Sequence, residues 1–492
     1  MLLSKTKILA GLHCEKRLFL MLNRPELAKR KKSPLAETGI VVGNQARKEF
    51  PGGVLVNRFQ QDSDAFEETR SYLDDKNVSA IFEAGFRYQD TEVFVDILQR
   101  QGSRWNLIEV KSSSSVKDDY IDDVSVQHMV LSNAAVAIDR IELMYLNKDF
   151  VYQGEKNYQG LFIREDIAER VIKHSRFITD AIEQIRKNLT QEEPVDHVDG
   201  HCKNPYPCEF KSYCEQQDGE YPVSWLPNAA VAIRKLHDNN IYDIRDIPVE
   251  MLSSETQLKV RRVSINGQAE LEADAAAILT ELDYPRFYLD FETINLAVPV
   301  WPGSRPSQQH PFQWSCHIQQ ADATITHKEF LDVSGEDPRR RFAESLIAAC
   351  GTAGPVIVYN QSFEKSIIKN LAASYEDLKE PLLAINTRVF DLLPVMKKYY
   401  YHPQMKGSWS IKNVLSCLLP ELRYSDLGDV QDGLMAQSAY HEMISGKLSK
   451  QQKDSLSADM LDYCKLDTYA MLAIVDKLCL KSGTLKSGTD YD

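Results

Sequence analysis

No apolar run in this chain is long enough to span a bilayer, and Met1 to Leu12 carry lysines and a serine without a signal-like cleavage pattern. A cytoplasmic location is therefore expected. A net positive charge is also lacking. The formal charge of −13 at pH 7 argues against indiscriminate adhesion to nucleic acid. It does not exclude a nuclease, because catalytic acids add negative charge and binding can rest on local basic patches. Four such patches are present: Lys29-Arg30-Lys31-Lys32, Lys259-Val260-Arg261-Arg262, Arg339-Arg340-Arg341, and Lys397-Lys398 beside Tyr399-Tyr400-Tyr401-His402. Each equally describes a solvated surface. There is no internal repeat. Nine cysteines in a cytoplasmic chain argue against a disulfide framework. The close Cys-x₂₋₄-Cys pairs usual in zinc sites are missing from the cluster Cys202, Cys208, Cys214.

What is present begins with size. A chain of 492 residues is too long for one hydrophobic core, and 43% hydrophobic with 26% charged residues is ordinary for a soluble protein of two or three domains. Residues 1–215 open with an amphipathic helical pattern through Ile8, Leu12, Phe19 and Leu22, and a second helix is expected across Ile40 to Phe50. Strand-like runs follow at Ile81–Tyr88, Val93–Leu98 and Trp105–Lys111, then helices near Asp122–Ala137 and Asp166–Leu189. That order predicts a mixed α/β core wrapped by helices. Residues 216–283 space Trp225, Leu226, Ile233, Leu236 and Ile241 helically and read as a helical connector, with Ile241 to Ile247 resembling a helix-turn-helix connection. Residues 284–480 form a second α/β block, with strands at Arg286–Phe291, Gln313–Ile318 and Val356–Tyr359, helices after Asp337 and Gln361, and a closing helix around Ser457–Leu478. The tail 481–492, rich in Gly, Ser and Thr, is expected to be disordered.

Two stretches place charged side chains two residues apart on one face of an expected strand. In Phe287-Tyr288-Leu289-Asp290-Phe291-Glu292-Thr293, alternation sends Phe287, Leu289 and Phe291 to one face and Asp290 and Glu292 to the other. Two carboxylates among apolar neighbours are costly unless a cation lies between them, and a divalent metal is the natural candidate. Two further acids can join. Glu364 follows the strand Val356–Tyr359, and Asp467 interrupts the apolar row Met460, Cys464, Met471, Ile474 and Leu478 of the closing helix. Two metal ions about 3.5–4 Å apart could share Asp290, activate an attacking water and stabilise the leaving oxygen. Tyr463 neighbours Asp467 one turn away. With an ordinary pKa near 10 its hydroxyl suits orienting that water rather than acting as a base.

These residues resemble the DEDD exonuclease superfamily, whose fold is RNase H-like. Its Asp-x-Glu motif matches Asp290-Phe291-Glu292, and its Tyr-x-x-x-Asp motif matches Tyr463 and Asp467. The second motif normally carries Asp; here Phe363-Glu364 puts Glu at that place, with a longer reach. Asp391, in Val389-Phe390-Asp391-Leu392, resembles a segment of the same fold and is a reserve acid. The resemblance implies Mg²⁺ or Mn²⁺ on Asp290, Glu292, Glu364 and Asp467, a catalytic Tyr463, and a hydrolase of the 3′–5′ exonuclease type.

The second charged stretch is Leu107-Ile108-Glu109-Val110-Lys111, and Asp96 lies in the preceding run Val93-Phe94-Val95-Asp96-Ile97-Leu98. If the two runs pair, the three side chains converge. Asp96 and Glu109 would then hold Mg²⁺ or Mn²⁺ through oxygen, and Lys111 would place a water and screen the phosphate. The plainer reading is an edge hairpin with a surface Glu–Lys pair. Gln127 and His128 on the following helix either touch this site or fill ordinary polar roles. Cys202, Cys208 and Cys214 with the distant Cys14 supply four soft ligands, for zinc or for a 4Fe–4S cluster.

Ser4 to Cys214 resembles the PD-(D/E)XK nucleases of the RecB-like group, including the CRISPR adaptation nucleases and the AddB-type helicase subunit. In that group an iron–sulfur cluster joins one N-terminal cysteine to three that follow the nuclease core. The resemblance implies a 4Fe–4S cluster on Cys14, Cys202, Cys208 and Cys214, and a nuclease site at Asp96, Glu109 and Lys111. Two departures stand out. The first two late cysteines are five residues apart rather than the common two, and Gly39-Ile40-Val41-Val42-Gly43-Asn44 has no histidine where many members carry a metal ligand. The pairing of such a block with a DEDD-like block resembles a bacterial family of uncharacterised proteins. The expectation is a metal-dependent nuclease acting on nucleic acid, DNA before RNA, with DNA repair among its settings. The alternative is a non-catalytic iron–sulfur protein that binds nucleic acid or senses redox state.

Overall fold

The computed structural model describes residues 2–29, 34–58, 64–188 and 192–481. Arg30, Lys31 and Lys32 of the first basic patch lie outside them, as does the expected disordered tail beyond Lys481. The chain divides into two compact units, Met1–Gln217 with Leu296–Gln308, and Asp218–Asn295 with Gln309–Asp492. Each is mixed α/β. Among the described residues no helix is long and apolar enough to cross a membrane.

Unit 1 is built on a seven-stranded mixed sheet. Its strands are β1 (Leu3–Ser4), β2 (Val54–Leu55), β3 (Ala80–Tyr88), β4 (Thr91–Gln101), β5 (Arg104–Lys111), β6 (Ile138–Leu146) and β7 (Phe162–Asp166). β3, β4 and β5 form an antiparallel meander, β6 lies parallel to β5, and β7 closes that edge antiparallel to β6. The strand trio was legible, but β6 and β7 were not expected. The helix Asp118–Asn133 makes the crossover from β5 to β6 and packs Val124, Val130 and Leu131 against Leu107 and Leu143. A parallel pair demands such a crossover.

The pairing of β4 with β5 runs only from Gln101↔Arg104 to Ile97↔Ile108. Beyond that point the strands part, and the Asp96 carboxylate takes over as acceptor for the Val110 amide (2.8 Å). Further along, β1 pairs with β4 in parallel, Leu3 opposite Thr91 and Ser4 opposite Glu92. The opening helix pattern is two helices, Lys5–His13 and Glu15–Asn23, broken at Cys14.

Unit 2 carries β8 (Glu270–Leu271), β9 (Arg286–Asn295), β10 (Gln309–Gln319), β11 (Ile325–Leu331), β12 (Val356–Val358), β13 (Val389–Asp391) and β14 (Tyr400–Tyr401). Five of them form one sheet in the order β11-β10-β9-β12-β13. β9, β10 and β11 are antiparallel neighbours, whereas β12 and β13 run parallel to β9. β9 therefore sits at the centre, covered on both faces. Phe287, Leu289 and Phe291 pack with Trp314, Phe342, Leu346 and Ile367. Tyr288 on the opposite face joins the core of Met471, Ile474 and Leu478 from the closing helix, which spans Lys450–Lys481. Leu289 is fully buried. Leu289→Ala is expected to cost unit 2 about 2–5 kcal/mol, read by chemical denaturation of the full chain. A loss below about 1 kcal/mol would contradict this packing.

Residues 218–283 do not stand apart as a connector. Val223, Leu226, Ile233, Leu236, Ile244 and Ile247 enter the same core as Met471 and Ile474. Nor do Ile241 to Ile247 form a helix-turn-helix connection. After the helix Ala230–Asp238 the chain makes a bridge between Pro222 and Asp243 and a short 3₁₀ turn, Ile244–Asp246.

Two of the three basic patches of unit 2 have acidic or backbone partners, whereas Lys397 and Lys398 are exposed. Lys259 is buried and bonds Glu272 (2.9 Å), Arg261 donates to the Ile247 carbonyl (2.6 Å), and Arg262 grips Glu270 (2.8 and 2.6 Å). Arg339, Arg340 and Arg341 pair with Asp337, Asp377 and Asp332. Tyr399, Tyr400 and Tyr401 are core residues.

Candidate functional site: two carboxylate centres and a cysteine cavity

The centre of unit 2 follows directly from the alternation on β9. With Phe287, Leu289 and Phe291 committed to one core, Asp290 and Glu292 must face the closing helix, which presents Asp467 to them. Ligand oxygens of Asp290, Glu292 and Asp467 all lie within 4.8 Å of one another. Glu364 is outside this triad but within its electrostatic reach, in the first turn of the helix Ser362–Ser374 that follows β12. It is 2% exposed, and its Oε2 has no hydrogen-bond partner among the described residues. Burial, and then Asp467, push Glu292 up to about 8. Burial pushes Glu364 to about 8 as well. Asp290 is driven well above the usual carboxylate range by burial and by Asp467, Glu292 and Glu364. Buried acids that repel one another this strongly require either protons or a cation.

The reserve acid Asp391 has other work. It caps the helix Leu392–Tyr399 by accepting the Leu393 amide (3.0 Å), and it accepts the Asn360 and Gln361 amides (2.9 and 3.1 Å). These bonds hold the turn that leads into Glu364.

Tyr463 lies where the helix spacing puts it, close enough to Asp467 to favour that carboxyl's ionised form. Three participants were not foreseen. Tyr424 donates to Asp467. Lys412 Nζ stands 4.6 Å from the Tyr424 ring centre and 5.0 Å from that of Tyr463, and its charge favours the ionised forms of Glu292 and Asp467. Cys464 Sγ lies 3.7 Å from Asp290 Oδ2. Burial and Asp467 raise both tyrosines far above the ordinary phenol value, so they serve as donors only. The aromatic pair beside a lysine is the one sequence signal that could have flagged this wall, but Lys412 and Tyr424 lie far from Tyr463 in the chain.

In unit 1 the three expected residues converge at the split between β4 and β5. Lys111 Nζ bonds Glu109 Oε1 (2.7 Å) and also Asp123 Oδ2 (2.6 Å). Lys5 Nζ lies 3.2 Å from Glu109 Oε1 and 2.6 Å from Asp123 Oδ1. Gln127 Nε2 donates to Glu109 Oε2 (2.7 Å) and Asp123 Oδ1 (2.9 Å). Lys5 and Asp123 were not anticipated. Asp123 and Gln127 are four apart on one helix face, a spacing that could have linked them. His128 turns away toward Ser132 and Ser175. The surface-hairpin reading fails, because Glu109 is 3% exposed.

Burial, then Asp123 and Asp96, push Glu109 up to about 7. Burial opposes ionisation of Asp123 too, but Lys5 and Lys111 outweigh it and hold that carboxyl below its ordinary range. Two acids sharing the same lysines thus shift in opposite directions, and they titrate as a set. A cavity of about 740 Å³ opens onto this set, lined by Lys5, Asp96 and Glu109 together with Asn44, Arg47 and Arg58.

Cys14, Cys202, Cys208 and Cys214 line one small cavity with Asp196 and His201. Cys14 comes from the break between the first two helices, Cys202 from the 3₁₀ turn Gly200–Cys202, and Cys214 from the helix Lys211–Gln217. Cys14 Sγ donates to Asp196 Oδ2 (3.2 Å) and accepts the Arg17 amide (3.3 Å). Burial raises the Cys202 thiol to about 12, with Cys208 and Cys214 adding to the rise. Burial likewise raises Cys208. A soft metal or cluster bound by such thiols would stabilise their thiolate forms, but of the four only Cys14 belongs to a close donor group. Asp196 and His201 form that mixed donor group with Cys14, their ligand atoms within 4.8 Å of one another.

A family described as "Domain of unknown function (DUF2779)" matches residues 287–410. The match includes Asp290, Glu292 and Glu364 but stops before Lys412, Tyr424, Tyr463 and Asp467. Among curated proteins the chain is similar to "Uncharacterized protein UU173" of Ureaplasma parvum serovar 3, 26% identical over 277 residues, which is 52% of this chain and 40% of that protein. It is also similar to "Uncharacterized protein MG366" of Mycoplasma genitalium, 25% identical over 214 residues, 40% of this chain and 32% of the relative. The chain therefore spans less than half the length of these relatives.

Proposed function

We propose that this chain is a metal-dependent nuclease of the cytoplasm whose hydrolytic centre is the carboxylate group of unit 2. The observation that carries the reading is the triad Asp290, Glu292 and Asp467 within 4.8 Å, with Glu364 buried beside it and one of its oxygens unpartnered. Hard oxygen donors at that density fit Mg²⁺ or Mn²⁺. When bound, such ions would lower the pKa of a water and neutralise charge on a phosphodiester. The protein's own residues do the rest. Tyr424 fixes the Asp467 carboxylate by donating to it, and Tyr463 beside it favours the ionised form. Lys412 sets a positive charge beside the acids, suited to a phosphate oxygen. The acids cluster toward the carboxyl ends of the parallel strands β9 and β12, where open α/β sheets hold their ligands.

That placement supports an RNase H-like, DEDD-type reading of unit 2, and the parted strands around Asp96 support a PD-(D/E)XK-like reading of unit 1. The four cysteines are read as holding a 4Fe–4S cluster that ties the two ends of unit 1 together. DNA is the preferred substrate and RNA the second.

The test is digestion of end-labelled single- and double-stranded DNA and RNA by anaerobically purified protein with Mg²⁺ or Mn²⁺. Ladder products that vanish in Asp290→Ala and Asp467→Ala are expected. If both variants digest like the wild type, the hydrolytic assignment is wrong.

A further inference from the structure

We infer that unit 1 carries its own cation: the Lys5 ammonium holds the place between Glu109 and Asp123 that a divalent ion would take, so this carboxylate centre is built to stand without metal. The two centres differ in how their charges are met. In unit 2, Lys412 acts on Glu292 and Asp467 alone, Asp290 is met by further acids rather than by a cation, and an oxygen of Glu364 is left without a partner among the described residues. In unit 1, Asp96, Glu109 and Asp123 face both Lys5 and Lys111. Both oxygens of Glu109 and both of Asp123 are bonded. Lys5 and Lys111 share Glu109 Oε1, Gln127 takes Oε2, Lys5 and Gln127 share Asp123 Oδ1, and Lys111 takes Oδ2. A metal entering between Glu109 and Asp123 would have to compete with both ammoniums, which already hold Glu109 Oε1 and both oxygens of Asp123.

Lys5 is placed by the fold. Leu3 is fully buried and its amide donates to the Asp90 carbonyl (2.7 Å). β1 is locked to β4 where β5 has parted from it, and the next residue, Lys5, opens the helix Lys5–His13. The strand pairing that fills the split thus delivers the lysine into it. A long side chain held at both its backbone and its charge gives up little further freedom on binding the two acids. The consequence is that any metal-dependent hydrolysis by this chain belongs to unit 2. The inference about Lys5 stands without that consequence.

The test is Mn²⁺ binding to the full chain by electron paramagnetic resonance, in an Asp290→Asn/Asp467→Asn background that silences unit 2. That background is expected to bind no Mn²⁺ that Glu109→Gln removes. Adding Lys5→Met is expected to create one further Mn²⁺ site, which Glu109→Gln abolishes, while Lys5→Arg creates none. Mn²⁺ bound with Lys5 intact and lost in Glu109→Gln would overturn the inference. So would a folded Lys5→Met chain that gains no Mn²⁺. Should Lys5→Met fail to fold, the Glu109→Gln comparison decides alone: equal signals uphold the inference and a lower one overturns it. Whether unit 2 itself binds metal is read separately, from the wild type against the silenced background.

Discussion

Glu292→Gln is expected to lower metal-dependent hydrolysis by on the order of 10³-fold, while the metal-free chain becomes more stable. Opposite signs follow from one cause. Glu292 is buried beside Asp467 and held near 8, far above its ordinary 4.5. Its charge is an asset only when a cation is present. A neutral amide of the same shape removes the repulsion and is expected to stabilise the metal-free fold by on the order of 2 kcal/mol at pH 8. That would raise the melting temperature by a few degrees.

The pH dependence has a definite sign. Glu292 and Glu364 both have folded values near 8 against 4.5 in the unfolded chain. Between those values the folded chain binds protons that the unfolded chain has released. The contribution of these two acids to the stability of the metal-free protein is therefore full below about 4.5 and is lost as the pH rises through 8. Thermal melts across this range should show that decline, flattened by Mn²⁺ and reduced in Glu292→Gln. A variant less stable than the wild type without metal, at every pH, would contradict the repulsive cluster.

Cys208→Ser is expected to remove visible iron–sulfur absorbance and to destabilise unit 1 by at least about 3 kcal/mol. The four sulfurs come from the N-terminal helix break and from segments near residue 200 and beyond. Their common ligand would close a very long loop of chain. Without it, the unit keeps buried thiols that resist ionisation and gain nothing from proximity. The measurement is the absorbance spectrum and melting temperature of anaerobically prepared protein, wild type against variant. A colourless wild type with stoichiometric zinc would replace the cluster by a mononuclear site. An unchanged melting temperature would remove the structural role altogether.

The central strand of unit 2 was readable because period-two alternation is local: five residues decide which face Asp290 and Glu292 occupy. Asp467 was readable for a similar reason, as the one charge in an otherwise apolar helical row. The rest of the site depends on long-range contact. Tyr424 reaches Asp467 across 43 residues, and Lys5 reaches Glu109 across 104. No local pattern encodes either meeting. The basic run Lys259 to Arg262 suggested a phosphate surface because its partners, Glu270 and Glu272, lie beyond the helix that carries it. β6 escaped notice because Ile138-Asp139-Arg140-Ile141 opens it with exposed charge, and only its later residues are buried. The connector was misjudged because helical spacing shows that a segment packs, not what it packs against.

The most direct test of the central claim is anomalous diffraction from crystals of the full chain soaked in Mn²⁺. The account predicts a strong manganese peak bounded by the carboxylates of Asp290, Glu292 and Asp467. It also predicts no manganese between Glu109 and Asp123. Crystals saturated with Mn²⁺ that show no peak among Asp290, Glu292 and Asp467 would contradict a metal-dependent centre in unit 2.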